Sequence, residues 1–443
     1  EIEWAKVTQT RPDGYVAASA QAGRSPGALG AEVVAALYDT YERLRREQQV
    51  IDFESVLELT AAIVSESRLA GDQVRGMFRH FVVDEYQDVN PLQKLLLDAW
   101  LGGRDDLCVV GDPHQTIYSF TGATHRYLTR FGSEYPNATV VRLVRDYRST
   151  PQVVNLANRL VSAAAQPAGP QASQLLAQRP SGPEPVLTAY GDEVAEAEGL
   201  ARTVRSLIEG GHPAHEIAIL VRINAMLERF ETALTAAGVA YQVRGSERFY
   251  DRPEVRQAIM LLRGALRGTA ENDATGPLAA EVRTVLSGLG LTSAEPAGGG
   301  TSRQRWESLV AVAQLADDLA ATRPAATMAD FVADLQKRAE LGHAPVMHGV
   351  TLATMHASKG LEWDTVVLPG LVEGVMPIVY ARTLAAVEEE RRLLYVAVTR
   401  ARMRLYLSWA SARGPGARGG AEPSRFLTAL QPAPKKKKVV NRT

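Results

Sequence analysis

Two short apolar runs of the sequence end in carboxylates that could do phosphate chemistry. Phe81–Val83 is followed by Asp84 and Glu85, and Leu107–Val110 is followed after one glycine by Asp112. In an open parallel sheet, ligands bind just beyond the carboxyl ends of the strands. A carboxylate there suits Mg²⁺, which prefers a few hard oxygen ligands, and a following glutamate can deprotonate an attacking water. The pattern predicts Asp84 as the metal ligand and Glu85 as the general base, although a solvated charge pair at a strand end would read the same.

The polar loop after the second run adds an amide and two aromatic rings. Gln115 could sense a terminal phosphate, because a neutral amide both donates and accepts hydrogen bonds. Tyr118 and Phe120 could stack on nucleobases, a contact that contributes about 1–3 kcal/mol per base. Ordinary core packing would also explain two aromatic residues in such a loop.

Three later strings carry further candidates. LVRDYRST places Tyr147 beside Arg148, a pair that could stack on a base and bind a phosphate, or form a plain surface ion pair. TMHASKGLEW follows a predicted strand. EEERRLLYVAVTRA predicts an amphipathic helix with an acidic first turn that brings Arg400 near its end. An arginine held rigidly in this way could act as an arginine finger.

The elements that position these residues alternate between strand and helix. Apolar runs of strand length end in polar residues, and helical patterns separate them, which predicts an α/β fold with parallel sheets. The predicted strands are Phe81–Val83, Leu107–Val110, 139–143, Ile217–Val221, Val350–Thr354, 366–368 and 405–407. The predicted helices lie within 31–70, Pro91–Leu101, 150–164, 225–237 and 388–400. Residues 166–185 are predicted as a surface loop and 250–345 as a mostly helical insertion with a flexible seam at 295–300.

Composition excludes several classes of protein. The 443 residues correspond to about three domains, and 46% hydrophobic residues with a net charge of −1 exclude a disordered chain. No apolar run of about 18 residues and no basic leader followed by an apolar stretch occurs, so we expect a cytoplasmic protein that spans no membrane. Cys108 is the only cysteine, which excludes an intrachain disulfide and a multi-cysteine zinc site. Half of the lysines form the run Lys435–Lys438, a solvated tail by its composition.

Taken together and in this order, the strings resemble the motifs of superfamily 1 helicases of the UvrD/PcrA/Rep family. The matching strings are DEYQD, GDPHQTIYSFTGA, DYRST, TMHASKGLEW and EEERRLLYVAVTRA, with RGSERFYDRPEV between the third and the fourth. The resemblance runs from about residue 50 to residue 410. Within the family, DEYQDV, QTIYSFTGAT and VRDYRSTPQVV are most similar to the second UvrD-like helicase of GC-rich bacteria.

The resemblance implies two RecA-like motor domains, the first incomplete, that bind ATP and Mg²⁺ in the cleft between them and single-stranded DNA across both. Glu85 and Arg400 would then come from separate domains to one triphosphate. By position the resemblance assigns nucleotide roles to Asp84 (Mg²⁺), Glu85 (attacking water), Gln115 (coupling of the γ-phosphate to DNA), Tyr147 (adenine), Arg148 and Arg400 (γ-phosphate) and Glu362 (ribose). It assigns DNA contacts to Tyr118, Phe120, Thr354 and His356.

The same resemblance implies an ATP-dependent 3′-to-5′ translocase or helicase that acts in bacterial DNA repair. Its expected partners are single-stranded DNA, single/double-strand junctions and repair proteins, in the cytoplasm with the nucleoid, as a monomer or weak dimer. The expected domains are an accessory remnant (1–48), the partial first motor (49–142), the second motor in two parts (143–249 and 346–425), the helical insertion (250–345) and a basic tail or linker (426–443).

Four positions and one missing motif depart from the family pattern. Phe120-Thr121 replaces a Trp-Arg pair, which removes a cation from the expected DNA path, while His114 and Asp146 replace an acidic residue and an asparagine. No GxxxxGK[ST] phosphate loop occurs, and the nearest string, residues 18–25, lacks the flanking strand and lysine. We therefore expect this loop upstream and negligible ATP turnover by this chain alone. The alternative is a non-catalytic fragment that binds single-stranded DNA or a partner.

Overall fold

The computed structural model describes residues 1–24, 26, 29–164, 174–244, 249–268, 277–292, 301–341, 349–414 and 420–430. The α-helices are α1 Ile2–Val7, α2 Tyr15–Gln21, α3 Ala31–Glu47, α4 Phe53–Glu66, α5 Arg68–Met77, α6 Pro91–Leu101, α7 Arg126–Thr129, α8 Phe131–Glu134, α9 Pro151–Ser162, α10 Glu193–Glu209, α11 Leu227–Ala236, α12 Pro253–Gly268, α13 Leu278–Ser287, α14 Thr301–Thr322, α15 Met328–Leu341, α16 Leu384–Val398 and α17 Leu427–Leu430. The strands are β1 Phe81–Val83, β2 Leu107–Val109, β3 Arg145–Asp146, β4 Leu176–Ala177, β5 Val186–Tyr190, β6 Ile217–Val221, β7 Tyr241–Arg244, β8 Val350–Thr354, β9 Trp363–Leu368 and β10 Ala401–Ala410.

These elements divide into two compact units, named unit 1 and unit 2. Unit 1 is mainly Glu1–Arg142 with Val282–Ala313, and unit 2 is mainly residues 143–281 and 314–430. The domain boundaries predicted from the sequence stay predictions.

Unit 1 contains a short parallel sheet. β1 pairs with β2 in the register Phe81↔Leu107 to Val83↔Val109, which places the exposed Cys108 opposite Val82. Beside this sheet, Tyr86 packs with Leu97 and Leu101 of α6 in a small core. α6 begins with Pro91 at its first position after an Asn90/Gln93 capping box, and it ends at Gly102 in the left-handed conformation. These are strong local start and stop signals, which explains why the sequence predicts this helix correctly.

The N-terminal helices of unit 1 are joined by a buried lysine. Lys6 of α1 is 8% exposed, and its Nζ donates to Ser55 Oγ at 2.9 Å and to carboxylates of Glu42 and Asp52. Asp52 also caps α4 by accepting from the backbone N–H of Ser55 at 2.8 Å. Burial is the largest single influence on the pKa of Asp52 and acts to raise it. The hydrogen bonds together outweigh burial, so the pKa lies below its usual range. The network fixes α1, α3 and α4 to one another.

Unit 2 is built on a six-stranded parallel sheet with the order β5-β10-β9-β6-β8-β7. All five residues of the central strand β6 are buried. α10 and α11 cover β6 through a core that includes Val204, Phe230 and Leu234, and α9 and α16 contact β10. The continuous apolar runs predicted within unit 2 are therefore buried strands of this sheet, and the α/β class with parallel sheets is confirmed.

The structure corrects two sequence predictions and limits others. The predicted strand 139–143 is wrong: Val140, Val141 and Leu143 are 67%, 73% and 78% exposed, and no described strand pairs with this run. The predicted loop 166–185 contains the short strand β4, which pairs with β3. The seam 295–300, the tail 431–443 with its lysine run, and Ser25 of the rejected phosphate-loop string lie outside the described residues. Among the described helices, none combines the length and the apolar character needed to cross a membrane.

Candidate nucleotide and DNA site

The first candidate carboxylates lie where the sequence predicts them, directly after β1. Asp84 and Glu85 are both exposed, and Asp84 Oδ1 accepts a hydrogen bond from the Glu85 backbone N–H at 2.8 Å. Glu85 has φ 52° and ψ 36°, the left-handed region that residues with a side chain rarely adopt. Strained backbone of this kind persists only where the surrounding contacts impose it, and it is concentrated at functional sites.

Gln87 imposes the position of the Glu85 side chain, and sequence reasoning missed it. Gln87 is 1% exposed, its Nε2 donates to Glu85 Oε2 at 2.5 Å, and its Oε1 accepts from the Asp112 backbone N–H at 3.0 Å. A Cβ on Gly111 would lie 2.4 Å from Gln87 Oε1, so glycine is needed there. Two features of the sequence could have indicated this contact: a glutamine between carboxylates after one predicted strand, and a glycine at the end of the neighbouring strand.

The loop after β2 is organised by Asp112. Its Oδ1 accepts from the His114 backbone N–H at 2.9 Å, and its Oδ2 accepts from Gln115 Nε2 at 3.1 Å. Thr116 is 1% exposed, and its hydroxyl donates to the Gln87 carbonyl at 3.4 Å. Gln115, the predicted phosphate sensor, therefore belongs to the same hydrogen-bonded group as Gln87.

The two predicted base-stacking rings follow in the same loop. The ring centroids of Tyr118 and Phe120 are 6.2 Å apart in an edge-to-face arrangement, and Phe120 is 54% exposed. Burial raises the pKa of Tyr118, with smaller contributions from the negative charges of Asp88 and Glu85. The exposed face of Phe120 is available for stacking, and both rings lie in the loop 112–120, whose residues Asp112 and Thr116 contact Gln87.

The first helices of unit 1 support this loop. Gly122 has φ 99°, and a Cβ there would lie 2.7 Å from Val7 Cγ2, so only glycine allows α1 to approach this closely. Arg24 Nη1 donates to the Phe120 carbonyl at 3.1 Å, and the Arg24 guanidinium lies 4.6 Å from the Trp4 ring centroid while it pairs with Glu1. A guanidinium thus lies next to Phe120, although Thr121 replaces the arginine of the family pattern.

In unit 2, the structure brings together three of the predicted nucleotide residues. Asp146 Oδ1 accepts from the backbone N–H groups of Arg148 at 2.8 Å and Ser149 at 2.7 Å, which fixes the turn that exposes 69% of Tyr147. Arg148 Nε lies 2.5 Å from Glu362 Oε2. Aspartate in place of asparagine at 146 therefore keeps the turn, and Tyr147, Arg148 and Glu362 form one group.

Arg402, which the sequence did not single out, anchors that group to the sheet. Its Nε donates to Asp364 Oδ1 at 2.8 Å, its Nη1 lies 3.5 Å from Glu362 Oε1, and its Nη2 pairs with Glu216. Hydrogen bonds to Glu216 and Asp364 raise the pKa of Arg402 above its usual value, although burial, the largest single influence, acts in the opposite direction. Arg402 therefore stays charged and holds Glu362 beside Arg148.

Arg400 occupies a different environment from an exposed arginine finger. It is 2% exposed, and its guanidinium donates to the Val396 carbonyl at 2.9 Å, the Leu361 carbonyl at 3.1 Å and Thr399 Oγ1 at 3.1 Å. The helix α16 delivers Arg400 as the sequence predicts, but the guanidinium points at oxygen atoms of its own unit. Because a guanidinium has five N–H groups, these three hydrogen bonds do not exclude a contact with phosphate, and the role of Arg400 stays a prediction.

Thr354 and His356 lie at the carboxyl end of β8. Thr354 Oγ1 accepts from the Ala357 backbone N–H at 3.2 Å. Burial, and secondarily the positive charge of Arg222, lowers the pKa of His356 to about 3. His356 is therefore neutral at pH 7, so a contact between it and DNA would be a hydrogen bond of a neutral imidazole.

The residues after β1 fit a magnesium–nucleotide complex. Within the described ranges, no cluster of three or more His, Cys, Asp or Glu side chains could hold a metal ion by itself. Mg²⁺ at nucleotide sites typically takes one or two carboxylates and completes its shell with phosphate oxygens and water. The exposed carboxylate of Asp84 supplies oxygen ligands of the required chemistry.

Comparisons with known proteins agree with these features. The family model for the UvrD-like helicase C-terminal domain matches residues 141–274 and 269–412, and the model for the UvrD/REP helicase N-terminal domain matches residues 5–136. UvrD-like helicase domains are RecA-like motor folds. A Lactobacillus plantarum WCFS1 structure, the C-terminal domain of a possible DNA helicase, covers 61% of this chain and 91% of that chain at 14% identity, but its TM-score of 0.28 carries no argument.

Two relatives give the scale of the match. The chain is 50% identical over 439 residues to the ATP-dependent DNA helicase UvrD2 of Mycobacterium tuberculosis H37Rv, which covers 98% of this chain and 62% of that relative. It is 29% identical over 502 residues to the ATP-dependent DNA helicase UvrD1 of the same strain, over 90% of this chain and 64% of that relative. The chain thus spans less than two thirds of the relatives' length, and it belongs to the UvrD-like helicase family.

Proposed function

We propose that the protein containing this chain is an ATP-driven 3′-to-5′ motor on single-stranded DNA that unwinds duplexes during bacterial DNA repair. The observation that carries the proposal is the Glu85 carboxylate, held at the carboxyl end of a parallel strand by a buried amide and next to Asp84. Family membership and the names of the relatives support ATP and DNA as the substrates.

Glu85 would accept a proton from the attacking water, and Asp84 would be the protein ligand of Mg²⁺, which supplies charge neutralisation at the phosphate oxygens when bound. Gln87 holds the Glu85 carboxylate in one orientation, so no reorganisation is needed when water arrives. In unit 2, Tyr147 would stack on the adenine of the nucleotide. Arg148 would contact the γ-phosphate, and Glu362, which pairs with Arg148, would contact the ribose.

Single-stranded DNA would bind to unit 1 through Phe120 and Tyr118, whose rings can stack on successive bases. In unit 2, Thr354 and the neutral His356 would contact the strand. We infer junctions between single- and double-stranded DNA as the working substrate, and the cytoplasm with the nucleoid as the location.

The decisive experiment compares DNA-stimulated ATP hydrolysis by the full-length protein and its Glu85→Gln variant. General-base catalysis contributes typically 10²- to 10⁴-fold, so we expect a loss of at least about 100-fold with unchanged affinity for oligo(dT). Glu58→Gln makes the same chemical change at an exposed site of α4 and should leave hydrolysis unaffected. Full activity in Glu85→Gln would refute the assignment. Unwinding of 3′-tailed but not 5′-tailed duplexes tests the direction.

A second measurement separates this proposal from the alternative of a binding fragment. We expect residues 1–443 alone to bind oligo(dT) with negligible ATP turnover, and the full-length protein to be active, because the phosphate loop would come from upstream. Robust turnover by 1–443 that is lost in Glu85→Gln would contradict the expectation of a loop supplied from outside.

A further inference from the structure

Gln87 connects two parts of unit 1 that the proposed function otherwise treats separately. Its one amide group donates through Nε2 to the Glu85 carboxylate at 2.5 Å and accepts through Oε1 from the Asp112 backbone N–H at 3.0 Å. The amide is planar, and Gln87 is 1% exposed, so it has little freedom to move one end without the other. The Gln87 side chain thus hydrogen-bonds to the Glu85 carboxylate, which would activate water, and to Asp112, the first residue of the loop that carries the stacking rings.

The loop is attached to this intermediary at more than one point. Thr116 Oγ1 donates to the Gln87 carbonyl at 3.4 Å, and Gln115 Nε2 donates to the Asp112 carboxylate at 3.1 Å. Tyr118 follows two residues after Thr116. Its pKa is raised by burial and then by the nearby charges of Asp88 and Glu85, so its ring lies in the same group of residues. A displacement of the loop by stacked bases would therefore be transmitted to Asp112 and from there to the Gln87 side chain.

Gly111 leaves the space that this arrangement needs. A Cβ at Gly111 would lie 2.4 Å from Gln87 Oε1, 3.0 Å from Leu128 Cδ2 and 3.2 Å from the Gln87 backbone nitrogen. Gly111 is not among the glycines with positive φ, so its backbone conformation suits any residue. A side chain at position 111 would thus be limited by the close approach of Gln87, whose amide would have to shift, and not by the turn.

We propose that Gln87 is a positioning residue that couples the loop 112–120 to the Glu85 carboxylate, so that binding of single-stranded DNA to the loop sets the orientation of the hydrolytic base. The inference rests on the proposed function, since it presumes that Glu85 acts on water. It assigns the coupling to a side chain between the two strand ends, in addition to the predicted contact of Gln115 with phosphate.

Three substitutions in the full-length protein separate the parts of this coupling. Gln87→Met removes both hydrogen bonds with little change of volume. Gln87→Glu keeps an acceptor for the Asp112 N–H but places a second carboxylate against Glu85. Gly111→Ala removes no polar group, and its added Cβ displaces the Gln87 amide. Gly132→Ala is the matched control, because a Cβ there meets nothing within 4 Å.

The first readout is the ratio of ATP turnover with and without oligo(dT), measured beside the KM for ATP. Misplacing a positioning group or the base that it holds typically costs 10- to 100-fold. We expect Gln87→Met and Gly111→Ala to lower DNA-stimulated kcat by about that factor, to bring the stimulation ratio close to one and to leave KM for ATP within about twofold. Gly132→Ala should keep the wild-type ratio. A wild-type ratio in Gln87→Met would overturn the proposal.

The second readout does not depend on activity. Backbone amide exchange of peptides that cover Asp112–Thr116, followed in the absence of nucleotide, should be faster in Gln87→Met and Gly111→Ala than in Gly132→Ala. Oligo(dT) should change exchange at Glu85–Gln87 in the wild type and in Gly132→Ala, and this change should disappear in Gly111→Ala. If oligo(dT) leaves exchange at Glu85–Gln87 unchanged in the wild type, the coupling does not exist.

The two proposals fail in different ways. An active Glu85→Gln variant refutes the role of Glu85, and with it the proposed function. An inactive Glu85→Gln variant combined with a wild-type stimulation ratio in Gln87→Met refutes the coupling alone. If Gln87→Met does not fold by circular dichroism, Gly111→Ala and Gln87→Glu provide the same test.

Discussion

The sheets of the two units support their site residues in different ways. In unit 2, all five residues of β6 are buried, and five other strands continue the sheet. In unit 1, the described sheet has only β1 and β2, and Val82 is 76% exposed. Side chains at the ends of the unit 2 strands are therefore positioned by a closely packed layer. The Glu85 carboxylate in unit 1 is positioned mainly by polar contacts such as the hydrogen bond from Gln87.

Both units contain buried ion pairs, such as Lys6 with Asp52 in unit 1, and exposed ones, such as Arg205 with Glu209 in unit 2. Unit 2 holds ion pairs inside its structure, such as Arg222 with Glu390, whose side chains are 13% and 8% exposed. The pair Arg43 and Glu47 on α3 of unit 1 is 55% exposed at both side chains. Because a buried charge that loses its partner cannot be compensated by water, the pair Arg222–Glu390 should be energetically more important than the pair Arg43–Glu47.

The largest expected effect tests that difference directly. Arg222→Met leaves the Glu390 carboxylate, which also accepts from the Ile378 backbone N–H at 3.0 Å, without its guanidinium. Removal of one member of a buried pair costs about 3–5 kcal/mol, and removal of one member of an exposed pair less than about 1 kcal/mol. Urea unfolding of Arg222→Met and of the control Arg43→Met should show this gap. Equal losses would mean that burial does not distinguish the pairs.

A pH dependence specific to unit 2 should come next in size. Burial raises the pKa of Glu231 to about 7 from its usual 4.5, and only the Phe249 N–H, Arg252 and Tyr241 partly offset it. The folded state thus binds the proton more tightly than the unfolded state. This stabilisation is complete below pH 4.5 and is lost as the pH rises through 7, by about 3–4 kcal/mol, because the shift spans about 2.5 pH units at about 1.4 kcal/mol each.

The Glu231 prediction is checked by the free energy of unfolding of the wild type and of Glu231→Gln at several pH values between 5 and 8. The difference between them should change steadily across this interval, because glutamine keeps the hydrogen-bonding shape without a titrating proton. A constant difference would show that Glu231 does not titrate in this range.

The same substitution in the two sheets gives a smaller effect. Val221→Ala removes buried methyl groups from β6 and should cost about 2 kcal/mol, whereas Val82→Ala in β1 should cost less than about 0.5 kcal/mol. Denaturant unfolding followed by fluorescence and by amide exchange of each strand measures both. A loss at Val82 as large as at Val221 would show that β1 is covered in the protein in solution.

The smallest effect concerns the backbone of Glu85. Glu85→Ala and Glu85→Gly both remove the carboxylate, but only glycine adopts φ 52° without strain. The glycine variant should therefore be more stable than the alanine variant by about 1 kcal/mol. At Glu58, in the middle of α4, the order should reverse because glycine disfavours helix by about 1 kcal/mol. If the alanine variant were more stable than the glycine variant at position 85 as well as at position 58, backbone strain at Glu85 would be excluded.

Local sequence signals predicted the elements better than the contacts among them. Strand ends at Val83 and Thr354 and the helix Pro91–Leu101 follow from apolar runs and caps within a few residues. The hydrogen bond from Gln87 depends on a glycine at the end of a different strand, so only the register of β1 and β2 reveals it. The direction of the Arg400 guanidinium likewise depends on the Leu361 carbonyl, far away in sequence.

Apolar spacing alone also did not show which faces are covered. The spacing of the apolar residues Val33, Val34, Leu37, Tyr41 and Leu44 predicts a helix here, which α3 confirms, yet Val33, Leu37 and Leu44 are 47%, 50% and 42% exposed. Val34 and Tyr38, on a neighbouring face, pack against Trp4 and Tyr15 instead. The run 139–143 is similarly apolar but forms no ladder with any described strand, because a strand needs a neighbouring strand that the run itself cannot specify.

The single thiol of the sequence has a practical consequence. Cys108 is exposed in β2, opposite Val82 and three residues before Gly111. A maleimide fluorophore would react at one place in this chain without any engineered cysteine. Its emission would report in real time how the neighbouring loop responds when an oligonucleotide is added, without any change of sequence.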